Sequence, residues 1–180
     1  MDFINRVKAW WRPAPEPEKV FEPEVESTDR RIKGRRNAAP GTRVLIIDDS
    51  ATIVALLRRM MRQNDLVTLE AGDAEAGIEI ARNEIPDLVF LDIVLPGMNG
   101  FAALRALRRD PITRDIPIIM ISGNEQATEE FYVQRNGADD FMKKPFSRAE
   151  VFARIERLLD DDQKPRRINP VATGAESETA

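Results

Sequence analysis

The chain has neither cysteine nor histidine among its 180 residues. Without cysteine there is no disulfide or thiol chemistry, and a reducing compartment is compatible with the sequence. Without histidine the commonest general base, the usual zinc ligand and any Ser-His-Asp triad are excluded. Long apolar runs are missing too: none approaches the ~20 residues that cross a bilayer. Met1 to Trp11 is interrupted by Asp2, Arg6 and Lys8, and no apolar core with a small-residue cleavage site follows. No secretory signal is therefore expected, and a cytoplasmic protein is the plain expectation. No strong excess of one charge is present. Residues 41–160 carry 15 Lys/Arg against 20 Asp/Glu, which gives no global case for nucleic-acid binding.

Four regions follow from composition. Residues 1–12 form a short amphipathic segment. Residues 13–40 hold Pro13, Pro15, Pro17, Pro23 and Pro40, an acidic block from Glu16 to Asp29 and a basic cluster of Arg30, Arg31, Lys33, Arg35 and Arg36. Such a stretch buries too little apolar surface to offset the entropy of ordering it, so a disordered linker is expected. Residues 161–180 are polar and are expected to form a disordered tail. Between them, residues 41–160 alternate regularly. Apolar strand-like runs occur at 43–47, 66–70, 87–91, 117–121 and 139–142, separated by helical patterns at 50–63, 73–83, 99–109, 125–136 and 147–159. Ser50 and Asp73 are placed to cap helices, Ser147 with Glu150 reads as a capping box, and Gly137 stands where a helix would end. Five β-α units predict a single α/β domain, a parallel sheet covered on both faces, with the all-apolar third strand at its centre.

Unusual residues stand at the ends of four predicted strands: Asp48 and Asp49 after the first, Asp92 after the third, Ser122 after the fourth and Lys144 after the fifth. A parallel sheet brings these ends to one edge, where open α/β sheets place their chemistry. Three carboxylates there repel one another unless a cation lies among them, and a hard, oxygen-seeking ion such as Mg²⁺ is the natural choice. The set suits phosphoryl transfer. Asp92 can act as nucleophile and form a mixed anhydride. Mg²⁺ held by Asp49 and Asp92 would neutralise charge during transfer. Ser122 offers a hydroxyl to a phosphoryl oxygen, and Lys144 a mobile charge that pairs with Asp92 before modification and with phosphate afterwards. Each residue alone has a plainer reading: Asp48-Asp49-Ser50 as helix capping, Asp92 and Ser122-Gly123 as turns, Lys144-Pro145 as an exposed loop. Their joint occurrence at four strand ends is what packing alone does not supply.

The segments Val44–Ser50, Leu88–Gly100, Ile118–Gly123 and Gly137–Phe146 resemble those of bacterial response-regulator receiver domains, over about residues 42–160. The resemblance implies a flavodoxin-like (βα)5 fold with strand order 2-1-3-4-5. It implies Asp92 as phosphoacceptor from a sensor histidine kinase or phosphotransfer protein. It further implies a metal site made by Asp49, Asp92 and the Val94 carbonyl, with Asp48 acting largely through water. Ser122 matches the family's switch hydroxyl, Lys144 its lysine and Phe141 its switch aromatic, and a cis bond is implied before Pro145. Two positions depart from well-known members: Phe141 has no phenolic hydroxyl, so a switch there works by ring burial. Val94 has no side chain able to orient water, and Asn124 does so weakly, so self-dephosphorylation is expected to be slow to moderate.

These placements predict a switch. Ser122 would move toward the new phosphoryl oxygens and Phe141 would rotate inward. That reshapes a face made by the helix over 125–136, the fifth strand and the last helix, carrying Arg135, Lys143 and Arg148, where a downstream protein would dock. No output domain is expected after Asp160, which points to a stand-alone receiver of the chemotaxis or motility type, or a phosphorelay shuttle. It is expected to be no enzyme beyond catalysing its own phosphorylation and dephosphorylation. Phe3, Ile4, Val7, Trp10 and Trp11 share one face of a short helix. That segment reads as a docking peptide, as a weak membrane contact, or as a segment folded back on its own domain, with membrane contact the least favoured. Two rival classes remain: a pseudo-receiver that binds partners without phosphorylation, and a Mg²⁺-dependent aspartyl phosphatase of the haloacid dehalogenase type. The second needs an acid two residues after its nucleophile, where this chain has Val94. A dinucleotide-binding domain fails for want of a Gly-x-Gly-x-x-Gly after the first strand.

Overall fold

A computed structural model describes residues 36–123 and 137–168. Strands β1 (Arg43–Ile47), β2 (Val67–Ala71), β3 (Leu88–Asp92), β4 (Ile118–Ser122) and β5 (Asp140–Lys143) alternate with helices α1 (Ala51–Arg62), α2 (Ala74–Glu84), α3 (Gly100–Arg109) and α4 (Arg148–Arg157). The helix expected over 125–136 lies outside the described residues, as do the amphipathic segment 1–12, most of the linker and the end of the tail. The strands form one parallel sheet in the order β2-β1-β3-β4-β5, the expected flavodoxin-like arrangement.

The alternation of side chains along each strand divides the core in two. Leu45, Ile47, Val89, Leu91, Ile118 and Met120 face one layer, with Ala74, Ala81, Ala103, Leu104 and Leu107 of α2 and α3. Val44, Ile46, Leu88, Phe90, Ile119 and Ile121 face the other, with Leu57, Met60 and Met61 of α1 and Val151, Phe152 and Ile155 of α4. Burial of each large side chain contributes about 1.5–3 kcal/mol before entropy is counted, so both layers are needed to hold a central strand buried at every residue.

Local signals set the helix starts. Asp73 accepts a bond from the Ala76 amide at 2.8 Å, Asn99 from Ala102 at 2.9 Å and Ser147 from Glu150 at 3.2 Å. The capping box at Ser147 is half made, because the Glu150 carboxylate turns to Arg154 at 3.6 Å. Two glycines are required by close approach. A Cβ at Gly77 would lie 2.4 Å from the Ile47 side chain, and one at Gly100 would lie 2.1 Å from the Asp92 carbonyl oxygen. Gly100 thus lets α3 start directly against the end of β3, and its amide donates to the Ile93 carbonyl at 2.9 Å.

The ordered body is wider than residues 41–160 on both sides. Ala38 is buried, the Ala39 amide donates to the Gln163 carbonyl at 3.0 Å, and Leu159 pairs with Pro165 in an isolated antiparallel bridge. These flanking segments are held by hydrogen bonds to backbone together with the burial of Ala38 and Pro165. The Asp160 carboxylate alone accepts from the Asp162 and Lys164 amides and from Arg166.

Candidate functional site

The register places the strand ends side by side. Ile47 is opposite Leu91, Asp92 opposite Ile121 and Ser122 opposite Lys143. Asp48, Asp92, Ser122 and Lys144 therefore leave the sheet along one edge, and the five residues singled out from sequence come together there. Asp48 is 1% exposed, Asp92 4% and Ser122 0%, so these polar groups are held out of water, whereas Asp49 is exposed. The peptide bond between Lys144 and Pro145 is cis, as the resemblance implied.

The Lys144 Nζ lies 2.9 Å from Asp92 Oδ2 and 2.8 Å from Asp48 Oδ2. The contact to Asp92 is a well-directed hydrogen bond. The contact to Asp48 is an ion contact whose oxygen lies off the line of a hydrogen bond, so it is chiefly electrostatic. Asp48 Oδ1 accepts from the Ser50 amide at 2.9 Å, and α1 is capped by Ser50, whose hydroxyl accepts from Ile53 at 3.5 Å. Capping therefore accounts for Ser50 and one Asp48 oxygen, and leaves Asp49 and Asp92 unexplained.

Burial raises the Asp92 pKa above the ordinary carboxylate value, the Asp48 charge adds to the rise, and the Lys144 ammonium and Val94 amide only partly offset it. For Lys144, burial pulls the pKa down, but its close contacts with the Asp48 and Asp92 carboxylates outweigh this and leave it raised. One ammonium is thus shared by two buried carboxylates, with a third acid beside them. Carboxylate oxygens of Asp48, Asp49 and Asp92 all lie within 4.8 Å of one another. Asp92 Oδ1 is buried with no hydrogen-bond partner among the described residues. An all-oxygen donor set, excess negative charge and an unmatched buried oxygen fit a hard divalent cation.

Val94 points its side chain into solvent at 65% exposure, leaving a backbone carbonyl as its only possible contribution to a metal. Phe141 is half-buried and packs against the layer shared by α2 and α3. Of the three basic residues expected on the docking face, Arg135 lies outside the described residues and Lys143 is exposed. Arg148 is turned to α1, donating to Gln63 at 2.7 Å and lying 5.3 Å over the Phe152 ring.

Sequence reasoning missed the opposite edge of the sheet. There Asp139, fully buried, binds both Arg108 at 2.7 Å and Arg167 at 3.1 Å. An acid just before a strand marks Asp139, but nothing local connects it to position 167. Gly100 was missed as well, although an Asn-Gly pair opening a helix right after the Pro96-Gly97 turn is a readable signal of close backbone approach.

Among the described residues no helix is long and apolar enough to cross a membrane. The model of the response regulator receiver domain matches residues 44–156. The chain is 38% identical over 117 residues to Protein PilH of Pseudomonas aeruginosa, covering 65% of this chain and 97% of that protein. It is 34% identical over 130 residues to the phosphate regulon transcriptional regulatory protein PhoB of Escherichia coli, covering 72% of this chain and 54% of PhoB, so it spans about half the length of that relative. Among solved structures, the receiver domain of the sensor histidine kinase PA1611 from Pseudomonas aeruginosa, with a magnesium ion coordinated in its active-site cleft, matches with a TM-score of 0.59 at 26% identity, covering 65% of this chain and 95% of that one. A phosphorylation-dependent switch is consistent with this family, whose members interact with histidine kinases or phosphotransfer proteins. With its fold, its acid edge and a family match spanning most of the described body, the chain belongs to the response regulator receiver family.

Proposed function

We propose that the chain is a phosphorylation switch in which Asp92 accepts a phosphoryl group from a sensor histidine kinase or phosphotransfer protein and the altered surface is read by another protein. The observation that supports it most is the underpaired buried carboxylate at Asp92, beside one shared lysine and two further acids. An Asp92 oxygen attacks phosphorus, the bond from phosphorus to the donor's imidazole nitrogen breaks, and the departing imidazole takes a proton. Asp49, Asp92 and the Val94 carbonyl would hold Mg²⁺, with Asp48 acting through water, and the ion would supply charge neutralisation at the transferring group. The Lys144 ammonium, already 2.9 Å from Asp92, passes to a phosphoryl oxygen once the carboxylate has become a mixed anhydride. Ser122 donates its hydroxyl to another phosphoryl oxygen, and Phe141 follows by moving further into its layer. The chain catalyses no reaction besides its own phosphorylation and dephosphorylation. With no side chain at Val94 able to orient an attacking water, and Asn124 a weak substitute, hydrolysis is slow to moderate. Signalling in motility or chemotaxis, and a cytoplasmic setting, complete this reading.

The test is intact mass after incubation with acetyl phosphate and Mg²⁺. Wild type gains one phosphoryl mass, whereas Asp92→Asn and wild type in EDTA gain none. Equal labelling of Asp92→Asn would place the acceptor elsewhere, and no labelling of wild type would favour the pseudo-receiver.

A further inference from the structure

Arg167 lies beyond the segment 44–156 that defines the family match, yet it is one of the more deeply held residues of the molecule. A tight loop aims it. The Asp160 amide donates to the Lys164 carbonyl at 2.9 Å, the Arg166 amide to Leu158 at 2.7 Å, and Pro165 is buried. The Arg167 side chain, 10% exposed, then meets three acceptors: Asp139 Oδ1 at 3.1 Å, the Arg114 carbonyl at 3.0 Å and the Gly137 carbonyl at 3.3 Å. Arg108 reaches the same three groups from the other side. Its guanidinium donates to Asp139 Oδ2 and Gly137 at 2.7 Å each and to Arg114 at 3.1 Å, with Ile116 as a fourth acceptor at 2.7 Å.

What these groups hold is the base of β4 and β5. Asp139 Oδ2 also accepts from the Ile118 amide at 2.8 Å, and the Asp139 amide donates to the Ile118 carbonyl at 2.9 Å. Asp139 therefore ties the first residue of β4 to the entrance of β5. Ser122 ends β4, and Lys144 follows β5. Gly137, at φ +89°, stands shortly before β5, and its carbonyl receives both guanidiniums. A strand of five residues spans about 16 Å, so the pin and the phosphorylation edge are the two ends of the same two strands.

We propose that Arg167 is a positioning residue for the switch: it holds the β4–β5 base in the arrangement in which Lys144 contacts both Asp48 and Asp92, and so opposes the change that phosphorylation drives. This rests on the proposed function above. The movement of Ser122 and Phe141 has to be taken up between two strands whose far ends are pinned. Releasing one of two pins lowers its cost. Coupling of this kind changes affinities by about 5–150-fold where both ends of a two-state element are engaged, and less where one of two pins remains.

The test uses the full chain as wild type, Arg167→Ala, Arg167→Lys and Arg166→Ala. The readouts are affinity for the phosphoryl mimic beryllofluoride with Mg²⁺, and the rate of labelling by acetyl phosphate. Arg167→Ala still leaves Asp139 with Arg108 and the Ile118 amide, so no buried charge is stranded and the fold is retained. It is expected to bind beryllofluoride about threefold or more tightly and to label faster. Arg167→Lys, which keeps the charge but loses the forked bonds, falls between it and wild type. Arg166→Ala, which removes only an exposed pair with Asp160, matches wild type. A lower melting temperature for Arg167→Ala with unchanged or weaker binding and labelling would reduce Arg167 to a structural pin and overturn the proposal. Should Arg167→Ala not melt cooperatively, Arg167→Lys decides by the same criterion. Wild type that neither binds the mimic nor labels would remove the phosphoacceptor reading itself, and this proposal with it.

Discussion

The two edges of the sheet use the same residue types to opposite ends. At the edge where the strands begin, one buried carboxylate, Asp139, is met by two arginines and a backbone amide. At the edge where they end, two buried carboxylates share one lysine, a third acid stands beside them, and an oxygen of Asp92 has no hydrogen-bond partner among the described residues. The first arrangement is closed: adding a cation or an anion there would break bonds. The second is left short of positive charge, and short of it at Asp92, the proposed phosphoacceptor. Saturated polar networks fix a structure, whereas underpaired ones with displaced pKa values mark places where something else binds or reacts.

Substitutions on each edge sharpen that contrast. The largest effect is expected for Arg108→Ala. Arg108 donates to four acceptors, and burial pulls its pKa only to about 10, so it stays charged at neutral pH. Removing it strips the Ile116 carbonyl of a donor and leaves the buried Asp139 carboxylate with Arg167 and the Ile118 amide only. The expected cost is about 3 kcal/mol, read as a fall in melting temperature of roughly 10 °C.

On the other edge the sign reverses. Asp92→Asn removes a charge that burial disfavours, so in EDTA it is expected to melt roughly 3–5 °C above wild type at pH 7. Because the folded-state pKa of Asp92 is raised, its ionised form costs stability above that pKa, and the cost disappears once pH falls below the ordinary carboxylate value. The advantage of Asp92→Asn is therefore largest at neutral pH and shrinks on acidification. Melting curves from pH 7 down to pH 4 check this, and a gain that grows on acidification would contradict it.

The smallest effect belongs to an exposed pair. Arg58 contacts Glu70 at 3.2 Å with side chains 46% and 31% exposed, so Arg58→Ala is expected to change stability by less than about 1 kcal/mol. An effect as large as that of Arg108→Ala would mean that pairing, rather than burial, decides what these contacts contribute.

Much of the underpaired edge was legible in the sequence, and little of the saturated one. Asp48, Asp49, Asp92, Ser122 and Lys144 announce themselves because each is a polar residue ending an apolar run, and the parallel topology that gathers them follows from the same runs. Among the described residues, the strand and helix positions were readable to within one or two residues for the same reason. Arg108, Asp139 and Arg167 sit in stretches already rich in charge, where one buried arginine looks like its exposed neighbours Arg109 and Arg166. Their meeting is a product of tertiary packing across 59 positions of chain. Residues 36–40 and 161–168 bond to the domain through backbone hydrogen bonds and the burial of Ala38 and Pro165, which composition does not reveal.

The most direct measurement of the contrast is calorimetric titration of Mg²⁺ into the full chain at pH 7. Binding of one ion by wild type, lost in Asp49→Asn and retained in Arg167→Lys, is the predicted result. No binding by wild type, or binding indifferent to Asp49, would contradict the claim that the acid edge is built to be completed by a cation.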